Sequence, residues 1–284
     1  MIYDTNIAGG KSLMDDRVKA LINSAVVKII NNTSSTQKIK SLNKKHSKKI
    51  HFIPRRYRVF GGLLQSMNIQ FGNFVEVLME LLIESDGRYK ILKKYSGKKN
   101  NKFKLSKHND KLIDNYISRC QVEDLDLQLE FSLLLNEIIK NKDEDFNYFK
   151  HDIDLLFEDV KTGDIYYLEC KYNDDHDTGK FVDINRKFIK TYAYLVQELN
   201  ICTNSSKKVI PILFFFTNKK MKGNIYIPEQ TNIKRGQKFF DEFLNVSYED
   251  VDAYLLELSE DNETIQAFNN LYKKITIQEL EKVS

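Results

Sequence analysis

The sequence predicts an α/β protein: a mixed central sheet flanked by helices, with an added helical and basic N-terminal region. Three observations carry that prediction. Ile153 to Leu168 reads as two strands joined by a tight turn at Lys161-Thr-Gly-Asp164. Val209 to Phe216 is a continuous apolar run of strand length, as expected of a strand covered on both faces. Asp183 to Leu199, between them, has helical spacing, so Tyr166 to Phe216 forms a strand–helix–strand unit with a right-handed parallel crossover.

The remaining elements follow in order. Ser12 to Asn31 places Leu13, Met14, Val18, Leu21, Ile22, Ala25, Val26, Ile29 and Ile30 at helical spacing, with Ser12 as N-cap. Asn32 to Lys49 is polar and basic and reads as a loop or arm. His51 to Arg58 reads as a short extended piece broken by Pro54. Gly72 to Glu84 is a second amphipathic helix. Asp110 to Lys142 reads as helical, with a dense apolar region from Leu127 to Leu135. Ile225 to Ile227 reads as a short strand stopped by Pro228, and Gly236 to the C-terminus as mostly helical. Tyr166, Tyr192, Tyr194 and Phe214 to Phe216 fall at core-type spacing. No repeat and no clean linker is visible. The expectation is one domain over 1–284: basic and helical additions at 1–71 and 86–149, a core at 72–85 and 150–230, and C-terminal helices at 231–284.

Composition narrows the function. The 284 residues are 42% hydrophobic, enough for a packed core, and only 3 Pro and 11 Gly argue against long structureless linkers. No apolar run approaches the roughly 20 residues of a membrane span. The N-terminus lacks the layout of a secretory signal. Three cysteines, Cys120, Cys170 and Cys202, contain no C-x-x-C pair, which fits a reducing cytoplasm rather than a disulfide framework or zinc ribbon. No H-E-x-x-H, Walker loop or G-x-G-x-x-G is present.

The net charge of +4 hides an asymmetry. From Arg17 to Phe74 there are twelve Lys or Arg and no Asp or Glu. A second acid-free stretch, Gly87 to Asn109, holds Arg88 and eight lysines, among them Lys98 and Lys99. A lysine-rich surface in an AT-biased genome accounts for many of these cations but not for the missing acids. Segregated positive charge suits a polyanion, bound less tightly as salt rises.

The hairpin carries three charges where a core strand is apolar. By period-two alternation, Asp154 shares a face with Leu156, and Glu169 shares a face with Lys171 while Cys170 points the other way. Two carboxylates and an ammonium at one spot are costly to desolvate unless they bind something. A divalent metal and a phosphate are the natural occupants, which points to a metal-dependent phosphodiesterase. Asp152 lies on the same face as Asp154. Asp154 is preferred because Leu155 to Phe157 follow it directly, leaving Asp152 to cap the strand or stand behind the site.

Asp154 on one strand and Glu169-x-Lys171 on the next resemble the motif of the PD-(D/E)XK nuclease superfamily, which includes most type II restriction endonucleases. Ile153 stands where the motif's name has Pro. The resemblance covers roughly Gly72 to Phe216, with a long insertion between the first helix and the hairpin. It implies a restriction-endonuclease-like α-β-β-β-α-β core, which the order above matches apart from one missing first strand, either in the segment just before Asp152 or too short to be read. It further implies that Asp154, Glu169 and the Cys170 carbonyl hold Mg²⁺, that Lys171 orients the attacking water and stabilises developing charge, and that Glu76 on the first core helix is a further catalytic acid, with Glu80 as runner-up.

The segment Tyr172 to Asp183, which contains His176, resembles one found in a subgroup of type II restriction enzymes that cut short palindromes. On that resemblance Lys180, Arg186, Lys187 and Lys190 contact DNA phosphates, Arg186 and Lys190 from one helical face. His176 reads as part of a polar loop rather than as a second metal site. Arg55, Arg56 and Arg58 are the best candidates for base or phosphate contact, because guanidinium forks suit guanine edges as well as phosphates.

The expectation is therefore a Mg²⁺-dependent type II restriction endonuclease. It would act as a homodimer on a short palindrome in double-stranded DNA, with a cognate DNA methyltransferase in the host that is not a stable partner. The alternatives are a structure-selective or repair nuclease on the same fold, and an inert DNA-binding protein.

Overall fold

A computed structural model describes residues 14–97, 101–141, 145–175 and 177–280. Ser12, Leu13, Lys98, Lys99 and His176, singled out in the sequence, lie outside them. The elements are α1 (Asp16–Thr33), α2 (Thr36–Ser47), α3 (Arg55–Asp86), β1 (Tyr89–Ile91), β2 (Asn101–Ser106), α4 (Lys107–Val122), α5 (Leu127–Lys140), β3 (Phe146–His151), β4 (Leu155–Asp159), β5 (Ile165–Lys171), α6 (Thr178–Glu198), β6 (Val209–Phe215), β7 (Ile233–Arg235), α7 (Gly236–Phe243), α8 (Tyr248–Glu260) and α9 (Asn262–Leu280). Contacts gather them into two compact units, Met1–Leu78 with Asn245–Ser284, and Met79–Leu244.

The described part of the first unit is helical. α1 is capped by Asp15, whose side chain accepts from the Val18 amide at 2.9 Å. A carboxylate there satisfies an orphan amide and faces the positive end of the helix. Asn32 to Lys49 is not a loop: Thr36–Ser47 within it is α2, capped by Ser35. Its lysines are good helix formers, and Ile39, Leu42 and Asn43 recur at helical spacing to bury one face. His51 to Arg58 is not extended either. Pro54 sits immediately before α3, where a missing amide costs nothing, and its carbonyl accepts from the Tyr57 and Arg58 amides. Ile39, Leu42, Val59, Leu63, Met67, Leu271 and Ile275 form the core of this unit.

The second unit is built on a five-stranded sheet in the order β1-β4-β5-β6-β7. The β1–β4 and β4–β5 pairs are antiparallel, and the β5–β6 and β6–β7 pairs parallel. The missing first strand of the core is β1, directly after α3. The segment before Asp152 is instead β3, which pairs with β2 in a separate two-stranded sheet. The helical stretch from Asp110 splits into α4 and α5, because Asp126 starts a new helix by accepting from the Leu129 amide. Ile225 to Ile227 is a turn rather than a strand: Asn224 Oδ1 accepts from the Tyr226 and Ile227 amides. The last strand is β7.

Alternation divides the sheet cleanly. Leu156, Tyr167, Leu213 and Phe215 join a core completed by Phe188, Ile189 and Tyr192 of α6 and by Ile113, Tyr116, Phe131 and Leu134 of α4 and α5. Phe157, Tyr166 and Phe214 point the other way, onto Phe239 and Phe243 of α7. Each fully buried Phe contributes roughly 1.5–3 kcal/mol relative to exposure. The β4–β5 turn closes at Gly163, with φ +76°, where the Asp159 carboxylate accepts from the Lys161 and Thr162 amides. Among the described residues no helix is long and apolar enough to cross a membrane.

Candidate active site

β5 presents Tyr167, Glu169 and Lys171 on the α6 side of the sheet. Asp154 lies one residue before β4, and the Leu155–Leu168 register sets it across from Glu169. Asp154 Oδ2 accepts from the Cys170 amide at 2.8 Å. The Lys171 ammonium donates to Glu169 Oε1 at 2.7 Å and to the Cys170 carbonyl at 2.8 Å, and it lies 3.5 Å from Asp154 Oδ2. The three oxygens that the sequence nominates for a cation thus converge on the ammonium.

Electrostatics follow from this crowding. Burial, then the neighbouring Glu169 charge, pushes the Asp154 carboxyl up to about 6. Burial alone would lower the Lys171 ammonium, but Glu169 and Asp154 outweigh it and hold the lysine charged, above its usual range. Among the described residues no group of three His, Cys, Asp or Glu side chains is placed to hold a metal ion. The donor set is two carboxylates and a carbonyl, all hard oxygens, which fits Mg²⁺ with water completing its shell and does not fit zinc.

Three residues of the site escape the sequence reading. Tyr167, fully buried, donates to Glu169 Oε2 at 2.9 Å. His151, at the end of β3, sets Nε2 3.7 Å from Glu169 Oε1 and Nδ1 2.9 Å from Thr191 Oγ1 of α6. Burial pushes the imidazole down to about 4, so it is neutral at neutral pH. The available signal for Tyr167 was parity, since it lies two residues before Glu169. His151 had none, because its partner is forty residues further on. A cavity of about 340 Å³ lies here, lined by Lys150, His151, Asp152, Asp154, Glu169 and Lys187.

The other nominated residues divide. Asp152 lines this cavity together with Asp154. Of the α6 cations, Arg186 pairs with Asp114 at 3.0 Å, and Lys190 with Asp110 at 2.5 Å and Asp114 at 3.1 Å, both on α4. Lys187 lines the cavity and pairs with Asp183 one turn away, while Lys180 is exposed. Glu76 and Glu80 occupy successive turns of α3, both half-buried, on either side of the division between the units. Arg55, Arg56 and Arg58 form the first turn of α3 in the first unit. In the acidic loop after β5, Asp177 caps α6, and Asp174 accepts from the Met221 and Lys222 amides and from Arg235.

The model of the HinfI type II restriction endonuclease family matches residues 14–259. The type II restriction enzyme HinfI of Haemophilus influenzae is 61% identical over 263 residues, covering 92% of this chain and 98% of that protein. No solved structure matches. The five-stranded mixed sheet flanked by helices is consistent with a restriction-endonuclease-like fold, and the chain belongs to the HinfI family of type II restriction endonucleases, site-specific deoxyribonucleases.

Proposed function

We propose that the protein hydrolyses both strands of duplex DNA at a short palindrome, using Mg²⁺ held by Asp154, Glu169 and the Cys170 carbonyl. One observation carries this: the three oxygens grip a cation already, in the form of the Lys171 ammonium. When bound, Mg²⁺ supplies a Lewis acid to the scissile phosphate and a more acidic water. Lys171, kept protonated, orients the attacking water and offsets negative charge that grows on the phosphate. Tyr167 fixes Glu169 by occupying Oε2, which leaves Oε1 toward Lys171. Glu76, with Glu80 as the alternative, supplies a further acid from α3. Lys180 and Lys187 contact phosphates. Arg186 and Lys190 are assigned the same role in weaker form, since each already faces an α4 carboxylate. Arg55, Arg56 and Arg58 bind DNA from the first unit.

A palindrome has two-fold symmetry, so a homodimer gives each strand one active site. A separate methyltransferase would protect the host's own sites. The test is digestion of DNA of known sequence with and without Mg²⁺, followed by sequencing of the ends. Discrete Mg²⁺-dependent ends sharing a short palindrome are expected. Cutting confined to junctions or damaged sites would overturn the reading. Glu169→Ala and Lys171→Ala are expected to abolish cleavage and leave DNA binding largely intact.

A further inference from the structure

Between α2 and α3 the chain turns through Ile50-His51-Phe52-Ile53 with its apolar side chains outward. Ile50 is fully exposed and Phe52 93% exposed. Large apolar side chains in water forgo the gain of burial, and a cluster of them marks a contact surface. The loop is locally built. The His51 ring stacks on Phe52 with centroids 5.0 Å apart, His51 Nδ1 accepts from the Ile53 amide at 3.0 Å, and Arg58 Nη1 reaches back to the Lys49 carbonyl at 3.4 Å. Pro54 fixes the exit into α3. Lys48 and Lys49 precede the tip, Arg55, Arg56 and Arg58 follow it, and no acid occurs between Arg17 and Phe74.

An apolar tip ringed by cations selects its occupant. A second copy of this chain across a two-fold axis would set the cation ring against itself, a like-charge contact that disfavours association. Duplex DNA offers what both parts need: phosphates for the cations and stacked bases for the tip. Apolar wedges flanked by basic residues enter base steps and kink the duplex. We propose that Phe52, with Ile50 beside it, is a wedge that enters a base step of the bound DNA while the flanking cations hold the phosphates on either side. This rests on the DNA-cleavage reading above and adds to it a contact made by the first unit that deforms the substrate.

The experiment uses the full chain in a Glu169→Ala background, which binds without cutting, and duplexes carrying the cleaved site with 2-aminopurine at successive positions. Binding is expected to raise the fluorescence at one step. Phe52→Ala is expected to lose that rise and weaken binding by roughly 5- to 150-fold, the range set by loss of a base–aromatic stack, while Phe52→Leu retains much of both. Tight binding with no fluorescence rise at any position, or a rise unchanged in Phe52→Ala, would overturn the wedge and leave the nuclease reading intact. Conversion of a dimer to a monomer by Phe52→Ala in sedimentation, with DNA affinity per protomer unchanged, would assign the tip to a second copy instead. Failure of the unmodified protein to bind or cut any duplex would remove the reading beneath the proposal and the proposal with it.

Discussion

Tyr167, buried on the α6 face of β5, donates its phenolic hydrogen to Glu169 Oε2 at 2.9 Å, two residues along the same strand. The network continues: the Thr191 hydroxyl bonds Tyr167 and also meets His151 Nδ1 at 2.9 Å. A chain of this kind sets the orientation of a ligand without touching the substrate.

Tyr167→Phe separates that orienting role from packing. The ring keeps its stack on Phe188, whose centroid lies 5.2 Å away, so the fold is expected to persist with a loss of about 1–3 kcal/mol from the unmet Glu169 oxygen. Affinity for Mg²⁺, measured by calorimetric titration, and the cleavage rate are both expected to fall on the order of 10- to 100-fold. Unchanged metal affinity would reduce Tyr167 to a core side chain.

The Lys190–Asp110 pair makes a pH-dependent contribution to stability. Burial pushes the Asp110 carboxyl up, but hydrogen bonds from Lys190 and Asn147 outweigh it and hold the group below the usual carboxylate range. A depressed folded-state pKa stabilises above the unfolded value of about 3.9 and loses that contribution as pH falls through the folded value. Asp110→Asn is therefore expected to cost stability at pH 7, and the deficit should vanish in acid. Urea unfolding of both proteins at pH 7 and below the carboxylate range checks this. Lys190→Ala should lower stability and reduce the salt dependence of DNA binding by less than Lys187→Ala does. Lys187→Ala should reduce that salt slope by about one while leaving stability nearly unchanged.

Gly163 is a third point of leverage. Its φ of +76° is left-handed, and a Cβ there would lie 3.1 Å from Lys207 Cε. Gly163→Ala is expected to cost roughly 1–2 kcal/mol, readable as a lower urea midpoint with an unchanged slope. The turn orders the strand pair that aligns Asp154 with Glu169, so cleavage should weaken only as far as folding does.

What the sequence makes legible follows the range of the interactions. Asp154, Glu169 and Lys171 are found because strand parity and one tight turn are local, and the turn brings them together within a span of eighteen residues. α6 and β6 are found because amphipathic spacing and a continuous apolar run survive in a Lys- and Asn-rich composition. α2 is hidden by that same composition, since three buried positions among twelve are too few to show a period. β1 is hidden because three residues, though buried and exposed in alternation, are too few to establish a period. Of the site residues that were missed, Tyr167 lay within reach of strand parity, while the other two depend on distant partners: His151 arrives on an inserted sheet, and Thr191 from a helix across the core. The shared face of Arg186 and Lys190 was legible, but Asp110 and Asp114, which meet it, were not.

Asp174 shows how a chemically suggestive residue is absorbed by structure. In sequence it belongs to an acidic loop beside a nuclease motif, where carboxylates invite a second metal. In the fold it is 1% exposed and fully engaged: its oxygens accept from the Met221 amide at 3.0 Å, the Lys222 amide at 3.2 Å and Arg235 Nη2 at 3.1 Å. Arg235 in turn reaches Glu229 at 2.9 Å and lies over the Phe215 ring. The carboxylate thus ties the segment after β5 to the segment after β6. Removing it leaves two amides without their acceptor and the guanidinium with Glu229 as its remaining carboxylate, so Asp174→Ala is expected to destabilise by about 1–3 kcal/mol. Asp174→Asn is expected to cost less, because its carbonyl still accepts while the charge is lost. Thermal unfolding orders the variants, and Mg²⁺ titration of Asp174→Asn at a temperature where it is folded supplies the deciding contrast. Metal stoichiometry and affinity equal to the unmodified protein's are expected, and loss of one bound ion would instead return Asp174 to the active site.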